Sequence, residues 1–273
     1  MNKFQNILIC TDLDGTLLRD DKTISKENLD AIEYFKSEGG YFTFVTGRMP
    51  FFVGDMYARV HPNAPVGCIN GGGIYDFESK QYLWAQTMSH SVIELLQYAQ
   101  QCVPAIGVQI NTLDRIWFCR ENEATEDFRR VTGVPRLNGC YEDVHEPIAK
   151  IVFCDRDEKN ISRVQQALLS HPRANEFDFI RSEKTLYEIL PKGIHKGAVL
   201  PQLTAHLGTT MGKTIAIGDY NNDIGMLRTA GVGVAVANAT PEAKAAADYI
   251  TVSNEEHAIA KVIADVESGA LRL

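Results

Sequence analysis

The chain has 273 residues, of which 45% are hydrophobic and 23% charged, enough apolar material for one large or two smaller globular domains. A formal net charge of -8 argues against general affinity for nucleic acid or an anionic membrane, both of which reward lysine and arginine. No apolar run approaches a membrane span, and the start lacks a signal peptide's basic and apolar regions, so the expected location is cytoplasmic. The six cysteines form no Cys-x-x-Cys pair and mostly lie in apolar strand-like runs, which predicts buried free thiols.

Residues 7–18 read Ile-Leu-Ile-Cys-Thr-Asp-Leu-Asp-Gly-Thr-Leu-Leu, an apolar run ending in two carboxylates, Asp12 and Asp14, with Gly15 and Thr16 behind them. Such a run bounded by glycine predicts a buried parallel strand, and ligands of an open parallel sheet sit at its carboxyl edge. A helix follows from Ser25, a candidate N-cap, with Leu29, Ile32 and Phe35 at helical spacing and Gly39-Gly40 closing it. A second strand over 41–45 ends in Thr46-Gly47-Arg48, a helix over 50–60 opens on Pro50, and a third strand over 66–69 ends in Asn70-Gly71-Gly72-Gly73. Strands alternating with helices predict a parallel α/β sheet.

The pattern changes near Trp84. A helix over 89–102, with Ser91 and Glu94 spaced for a capping box, precedes two short strands, 105–110 and 115–119, whose four-residue link predicts a hairpin. A helix over 122–132, a strand over 148–154, a helix with Ile161, Val164 and Leu168, and strands over 177–181 and 185–190 complete an α+β block. The α/β pattern then resumes. A helix over 196–207 accommodates Pro201, a strand over 214–217 ends in Gly218-Asp219, and a helix from Asn222 stops at Gly231. A strand over 232–237, an alanine-rich helix from Thr240-Pro241, a strand over 249–252 and a helix over 254–266 follow. The simplest organisation is one α/β core, 1–84 and 191–273, interrupted by an inserted domain, 85–190.

If the core strands are parallel, Asp12, Asp14, Thr46, Arg48, Asn70, Asp219 and Asp223 meet at one edge. Carboxylates gathered there repel one another unless a cation lies between them, and an incomplete oxygen shell suits Mg²⁺. The Thr46 hydroxyl, nearby backbone N–H groups and the Lys196 ammonium suit a phosphate. Arg48 has two readings, a substrate contact or a solvated charge at a helix start. Asn70 and Gly71 either line the site or form a plain turn into a hairpin.

Four segments carry a resemblance: Asp12-Leu-Asp14-Gly-Thr16, Thr46-Gly47-Arg48, Lys196-Gly197, and Gly218-Asp219-Tyr-Asn-Asn222-Asp223 with Met226-Leu227. In order and spacing the chain resembles the haloacid dehalogenase superfamily, and within it the Cof-like phosphatases of class IIB. The resemblance implies a doubly wound, Rossmann-like parallel-sheet core with an inserted α+β cap that selects substrate. It also implies a Mg²⁺-dependent phosphatase acting on a small phosphate ester such as a sugar phosphate. Asp12 would be the nucleophile that becomes an aspartyl phosphate, and Asp14 the acid and then base. Mg²⁺ would be held by the Asp12 carboxylate, the Asp14 carbonyl and Asp219, with Asp223 behind. Thr46 and Lys196 would hold the phosphoryl oxygens alongside Gly47, and Asn222 would orient Lys196 or touch the phosphate. The rivals are a phosphotransferase or mutase on a sugar phosphate and a non-catalytic phosphometabolite sensor.

One departure from the family is Ala237-Asn238-Ala239, where relatives often have Gly-Asn-Ala and where the extra methyl threatens to tighten the turn. Other features read as structural. Asp155 and Asp157 echo the first motif but lack Gly-Thr and suit helix capping, and Gly231-Val-Gly233 precedes a strand instead of following one. His195 is read as an ordinary surface or core histidine, Trp84 as a packing residue, and Trp117 as either packing or a cap surface.

Overall fold

The computed structural model describes residues 2–135 and 137–273. The first limb runs β1 (Leu8–Thr11), α1 (Lys26–Ser37), β2 (Tyr41–Phe44), α2 (Gly54–Val60), β3 (Val66–Cys68), β4 (Gly73–Asp76) and β5 (Gln81–Ala85). The middle holds α3 (Ile93–Cys102), β6 (Gly107–Thr112), β7 (Ile116–Arg120), α4 (Glu123–Thr132), β8 (Ile148–Cys154), α5 (Glu158–Ser170), β9 (Phe177–Glu183) and β10 (Leu186–Pro191). The second limb runs α6 (Leu200–Leu207), β11 (Thr214–Gly218), α7 (Ile224–Thr229), β12 (Val232–Ala235), α8 (Pro241–Ala246), β13 (Tyr249–Ile250) and α9 (Ala258–Ser268). Two compact units result: Met1–Ala85 with His195–Leu273, and Gln86–Ile194.

In the first unit a parallel five-stranded sheet has the order β13-β12-β11-β1-β2. β1 pairs with β2 on one side and β11 on the other, Thr11 standing opposite Phe44 and Ile217. Connections leave β1 in opposite directions, making it the point where the strand order reverses and a ligand crevice opens. The central strands β1 and β11 are buried at every position, which explains their continuous apolar sequences, whereas the edge strand β13 is partly exposed.

The third expected parallel strand proves different. β3 pairs antiparallel with β4, and β4 with β5, while a single parallel bridge, Val45 to Gly67, joins it to the segment after β2. Ile69 leaves the strand because Ile69, Asn70 and Gly71 all have positive φ, at 58°, 52° and 93°. A hairpin after Asn70 and Gly71 was one of the two sequence readings of that turn, but its strands β4 and β5 were not placed from sequence.

Several helices start with a tight 3₁₀ turn. Pro50–Phe52 precedes α2, and Lys196–Val199 precedes α6. Pro201 is tolerated because α6 begins only one residue earlier, where a missing N–H costs no helical hydrogen bond. Ser25 caps α1 as expected, its Oγ accepting from Asn28 N at 3.2 Å.

In the second unit an antiparallel sheet of order β7-β6-β8-β10-β9 packs one apolar face, including Ile110, Ile151 and Ile189, with α3 and α5. On the opposite face the buried Lys150 and Glu188 pair at 2.9 Å. Asp157 caps α5, as its sequence setting suggested. The capping box expected at Ser91 and Glu94 is absent: Ser91 lies inside a 3₁₀ turn, His90–Val92, and Arg173 takes its hydroxyl at 3.0 Å and the Glu94 carboxylate at 2.7 Å. Burial of the six cysteines is uneven: Cys10, Cys68 and Cys154 are buried, Cys102 and Cys119 are half-buried, and Cys140 is exposed. No helix among the described residues is long and apolar enough to cross a membrane.

Candidate active site

Every residue expected at the site lies in the first unit. β1 ends at Thr11, and Asp12 N still bonds to Ile217 O at 2.9 Å, so the Asp12 carboxylate emerges where the ladder ends. Gly15 then turns the chain at φ 77°, and a Cβ there would lie 2.7 Å from Asp219 Oδ2, so only glycine admits this close approach. Thr16 Oγ1 donates to Asp219 Oδ1 at 2.7 Å and joins the ends of β1 and β11.

Lys196 is fully buried between two carboxylates, with Nζ 2.7 Å from Asp12 Oδ1 and 2.6 Å from Asp223 Oδ1. The other Asp223 oxygen accepts the Asp219 and Tyr220 N–H groups, each at 2.9 Å. Asp223, not Asn222, therefore orients Lys196. Asn222 Nδ2 instead donates to Asn70 Oδ1 at 3.2 Å, while Asn222 Oδ1 is buried without a hydrogen-bond partner. Asn70 is itself fixed by its N–H on Thr46 O at 3.0 Å, and Thr46 Oγ1 accepts Arg48 N at 3.2 Å. Gly47 packs closely on the Asn70 side chain, and Gly71 on the His195 carbonyl.

Arg48 is more than a solvated charge at a helix start. It grips Asp14, with Nη2 2.7 Å from Oδ2 and Nε 3.1 Å from the same oxygen. Lys22 Nζ reaches Asp14 Oδ1 at 2.9 Å. Sequence reasoning missed Lys22, a lone lysine in a polar turn with no periodicity to mark it. It also missed the role of Asn238, which donates to Gly15 O at 2.7 Å and accepts from Asn254 N at 3.0 Å, tying down the turn after Asp14. The Ala237 methyl does not tighten that turn, since Ala237 is exposed. His195 caps the 3₁₀ turn of Lys196 by accepting Gly197 N at 3.1 Å. Trp84 packs against the core of the first unit, and Trp117 against that of the second.

Electrostatics separates the carboxylates. Burial, followed by repulsion from Asp223 and Asp219, pushes Asp12 up to about 8 against the pull of Lys196. Burial and Asp223 push Asp219 up to about 6. Burial would lower the Lys196 pKa, but Asp12 and Asp223 outweigh it and hold the ammonium charged. Asp14 goes the other way: burial pushes it up, but Arg48 and Lys22 outweigh that and hold it below the usual carboxylate range.

Asp12, Asp219 and Asp223 offer oxygens within 4.8 Å of one another. Three carboxylates facing one ammonium leave uncompensated negative charge, and hard oxygen donors of this kind fit a divalent cation. Asp12 and Asp219 are the better donors, because Asp223 already accepts three hydrogen bonds.

A family model described as haloacid dehalogenase-like hydrolase matches residues 9–263. The chain belongs to that family. Two Bacillus subtilis relatives, YitU and YcsE, each named 5-amino-6-(5-phospho-D-ribitylamino)uracil phosphatase, are 28% and 30% identical. Each alignment spans 94% of this chain, with 96% of YitU and 94% of YcsE covered. A solved subclass IIB sugar phosphatase superposes with a TM-score of 0.83 at 20% identity, over 97% of this chain and 100% of its own, a likeness of fold. The chain is thus a haloacid dehalogenase-like phosphatase.

Proposed function

We propose that the protein is a Mg²⁺-dependent phosphatase for a phosphate ester on a polyhydroxylated chain, a sugar phosphate or a ribityl phosphate, working through an aspartyl phosphate at Asp12. One observation carries the reading: Asp12 stands at the end of β1 with one oxygen on a fully buried Lys196 and two further carboxylates within metal-ligand reach. The names of the Bacillus subtilis relatives, which specify a phosphorylated ribityl chain, support the class of ester.

The oxygen of Asp12 not held by Lys196 attacks phosphorus, and the bond to the alcohol oxygen breaks. Asp14 gives that oxygen a proton from its protonated form, which the contacts with Arg48 and Lys22 disfavour, and is left ionised. It then takes a proton from a water that attacks the phosphoenzyme, which breaks the Asp12–phosphorus bond and releases inorganic phosphate. Lys196 and Thr46 hold the phosphoryl oxygens throughout, so charge stabilisation does most of the work. Asp12, Asp219, the Asp14 carbonyl and, behind them, Asp223 would hold Mg²⁺, which supplies positive charge beside the phosphoryl group. The inserted block, expected over 85–190, is the part proposed to select the alcohol.

Purified protein and its Asp12→Asn variant, assayed with Mg²⁺ against sugar phosphates, ribityl phosphates and nucleotides, test the reading. Wild-type release of phosphate and its loss by at least about 10³-fold in the variant are expected. Full activity in the variant overturns the nucleophile assignment. Conversion of a sugar monophosphate to its positional isomer in the presence of the bisphosphorylated sugar, without free phosphate, indicates a mutase.

A further inference from the structure

We propose that Lys22 is a positioning residue for the acid–base carboxylate of Asp14, acting together with Arg48; this rests on the acid–base reading of Asp14 above. Lys22 Nζ lies 2.9 Å from Asp14 Oδ1, while Arg48 reaches Oδ2 with Nη2 and Nε at 2.7 and 3.1 Å and Oδ1 with Nη2 at 2.9 Å. Both oxygens are held, and by cations from different segments. Arg48 touches both oxygens by itself, and Lys22 adds an anchor on Oδ1 from a different segment, so the carboxylate is held from two directions.

The turn that carries Lys22 is built to aim it. Lys22 has φ 64°, a left-handed conformation uncommon for a residue with a side chain and a reason to look for function. Its N–H bonds to Arg19 O at 2.9 Å, and Arg19 N–H bonds to Thr23 O at 2.9 Å. Asp21 Oδ1 accepts Thr23 N at 2.9 Å and Thr23 Oγ1 at 2.6 Å. The C-terminal segment grips the same turn: Asn254 Nδ2 donates to Leu18 O at 3.1 Å and to Asp20 Oδ1 at 3.2 Å, and Asp20 N donates to Glu255 Oε1 at 2.8 Å.

The bland alternative is a solvated ion pair. The Lys22 side chain is 64% exposed, and exposed pairs contribute little to stability. Stability therefore gives no account of a left-handed lysine in a turn so thoroughly tied, whereas placement of Asp14 does. Placement matters when the departing alcohol needs a proton as its bond to phosphorus breaks, and an alkoxide needs it far more than 4-nitrophenolate does.

The test compares kcat/KM for a sugar phosphate and for 4-nitrophenyl phosphate. This parameter covers the steps through phosphorylation of Asp12, and hydrolysis of the phosphoenzyme is common to both substrates. Lys22→Met is expected to lose about tenfold with the sugar phosphate and no more than about twofold to threefold with the aryl ester. Lys22→Arg should restore most of the loss. Asp14→Asn, run beside it, should show the same bias more strongly. An unchanged or increased sugar-to-aryl ratio in Lys22→Met, with the bias intact in Asp14→Asn, overturns the role of Lys22 alone. Absence of the bias in Asp14→Asn overturns the acid–base reading and the proposal with it.

Discussion

Lys196 contributes on two fronts because it is the ammonium that offsets a buried cluster of carboxylates. Its neighbours Asp12 and Asp223 are buried as well, so removing the cation strands negative charge where water cannot reach it. Lys196→Met is expected to cost about 3–5 kcal/mol of stability, as breaking a buried pair from one side does. It should also cost about 10²–10³ in kcat through lost stabilisation of the phosphoryl oxygens. Chemical denaturation and steady-state kinetics read the two effects separately. A stable but inactive variant would limit Lys196 to the chemistry. The site was only partly legible at this scale. Asp12, Asp14 and Asp219 stand at strand ends, where an apolar run stopping at a carboxylate is visible in the sequence. The grip of Arg48 and Lys22 on Asp14 was not, because it joins segments far apart in sequence whose side chains meet only after folding.

At the scale of elements, the left-handed stretch of Ile69, Asn70 and Gly71 links the first limb to the turn that starts at Lys196. Gly71 has φ 93°, and a Cβ there would collide with the His195 carbonyl oxygen, so substitution must displace the 3₁₀ turn of Lys196 or the stretch itself. Gly208, at φ 67° beyond α6, has nothing within 4 Å of a Cβ and isolates the backbone cost alone. Gly208→Ala is expected to lose about 1 kcal/mol and keep its activity. Gly71→Ala is expected to lose more than twice that and about 10-fold or more in kcat/KM, because Lys196 shifts with the turn. Equal losses in the two variants, seen by thermal melting with activity assays, would show that the contact with His195 is easily relaxed. Buried parallel strands such as β1 and β11 were legible as continuous apolar runs. Of the β4–β5 hairpin only the turn that leads into it was read; its strands were not, because Gln81–Ala85 is only partly buried and mixes polar with apolar positions, leaving neither a continuous run nor a clean alternation.

For the whole molecule, the arrangement that matters joins the two limbs of the first unit. Asp12 belongs to one limb and Asp219 to the other, and Thr16 bonds across to Asp219. A divalent cation shared by these carboxylates would therefore stabilise the assembly of the limbs, and protons compete for the same oxygens. Asp12 is raised to about 8 and Asp219 to about 6, both from 3.8. A raised pKa means that the folded state binds the proton more tightly than the unfolded state. The stability these two groups contribute is full below about pH 4, falls as pH rises through 6, and is gone above 8. Without a divalent ion, the pair should thus weaken the fold progressively between pH 5 and 8. Over the same interval the carboxylates become free to bind Mg²⁺, so its effect on Tm should grow as pH rises. At about 100 times the dissociation constant the ion should supply about 2.7 kcal/mol, or about 5–10 °C for a chain of this size. Melting curves with Mg²⁺ and with a chelator, taken from pH 5 to 8, measure this directly. Asp219→Asn should abolish most of the shift at every pH. A Mg²⁺ shift of equal size at pH 5 and pH 8, or one that survives Asp219→Asn, would place the ion elsewhere on the protein.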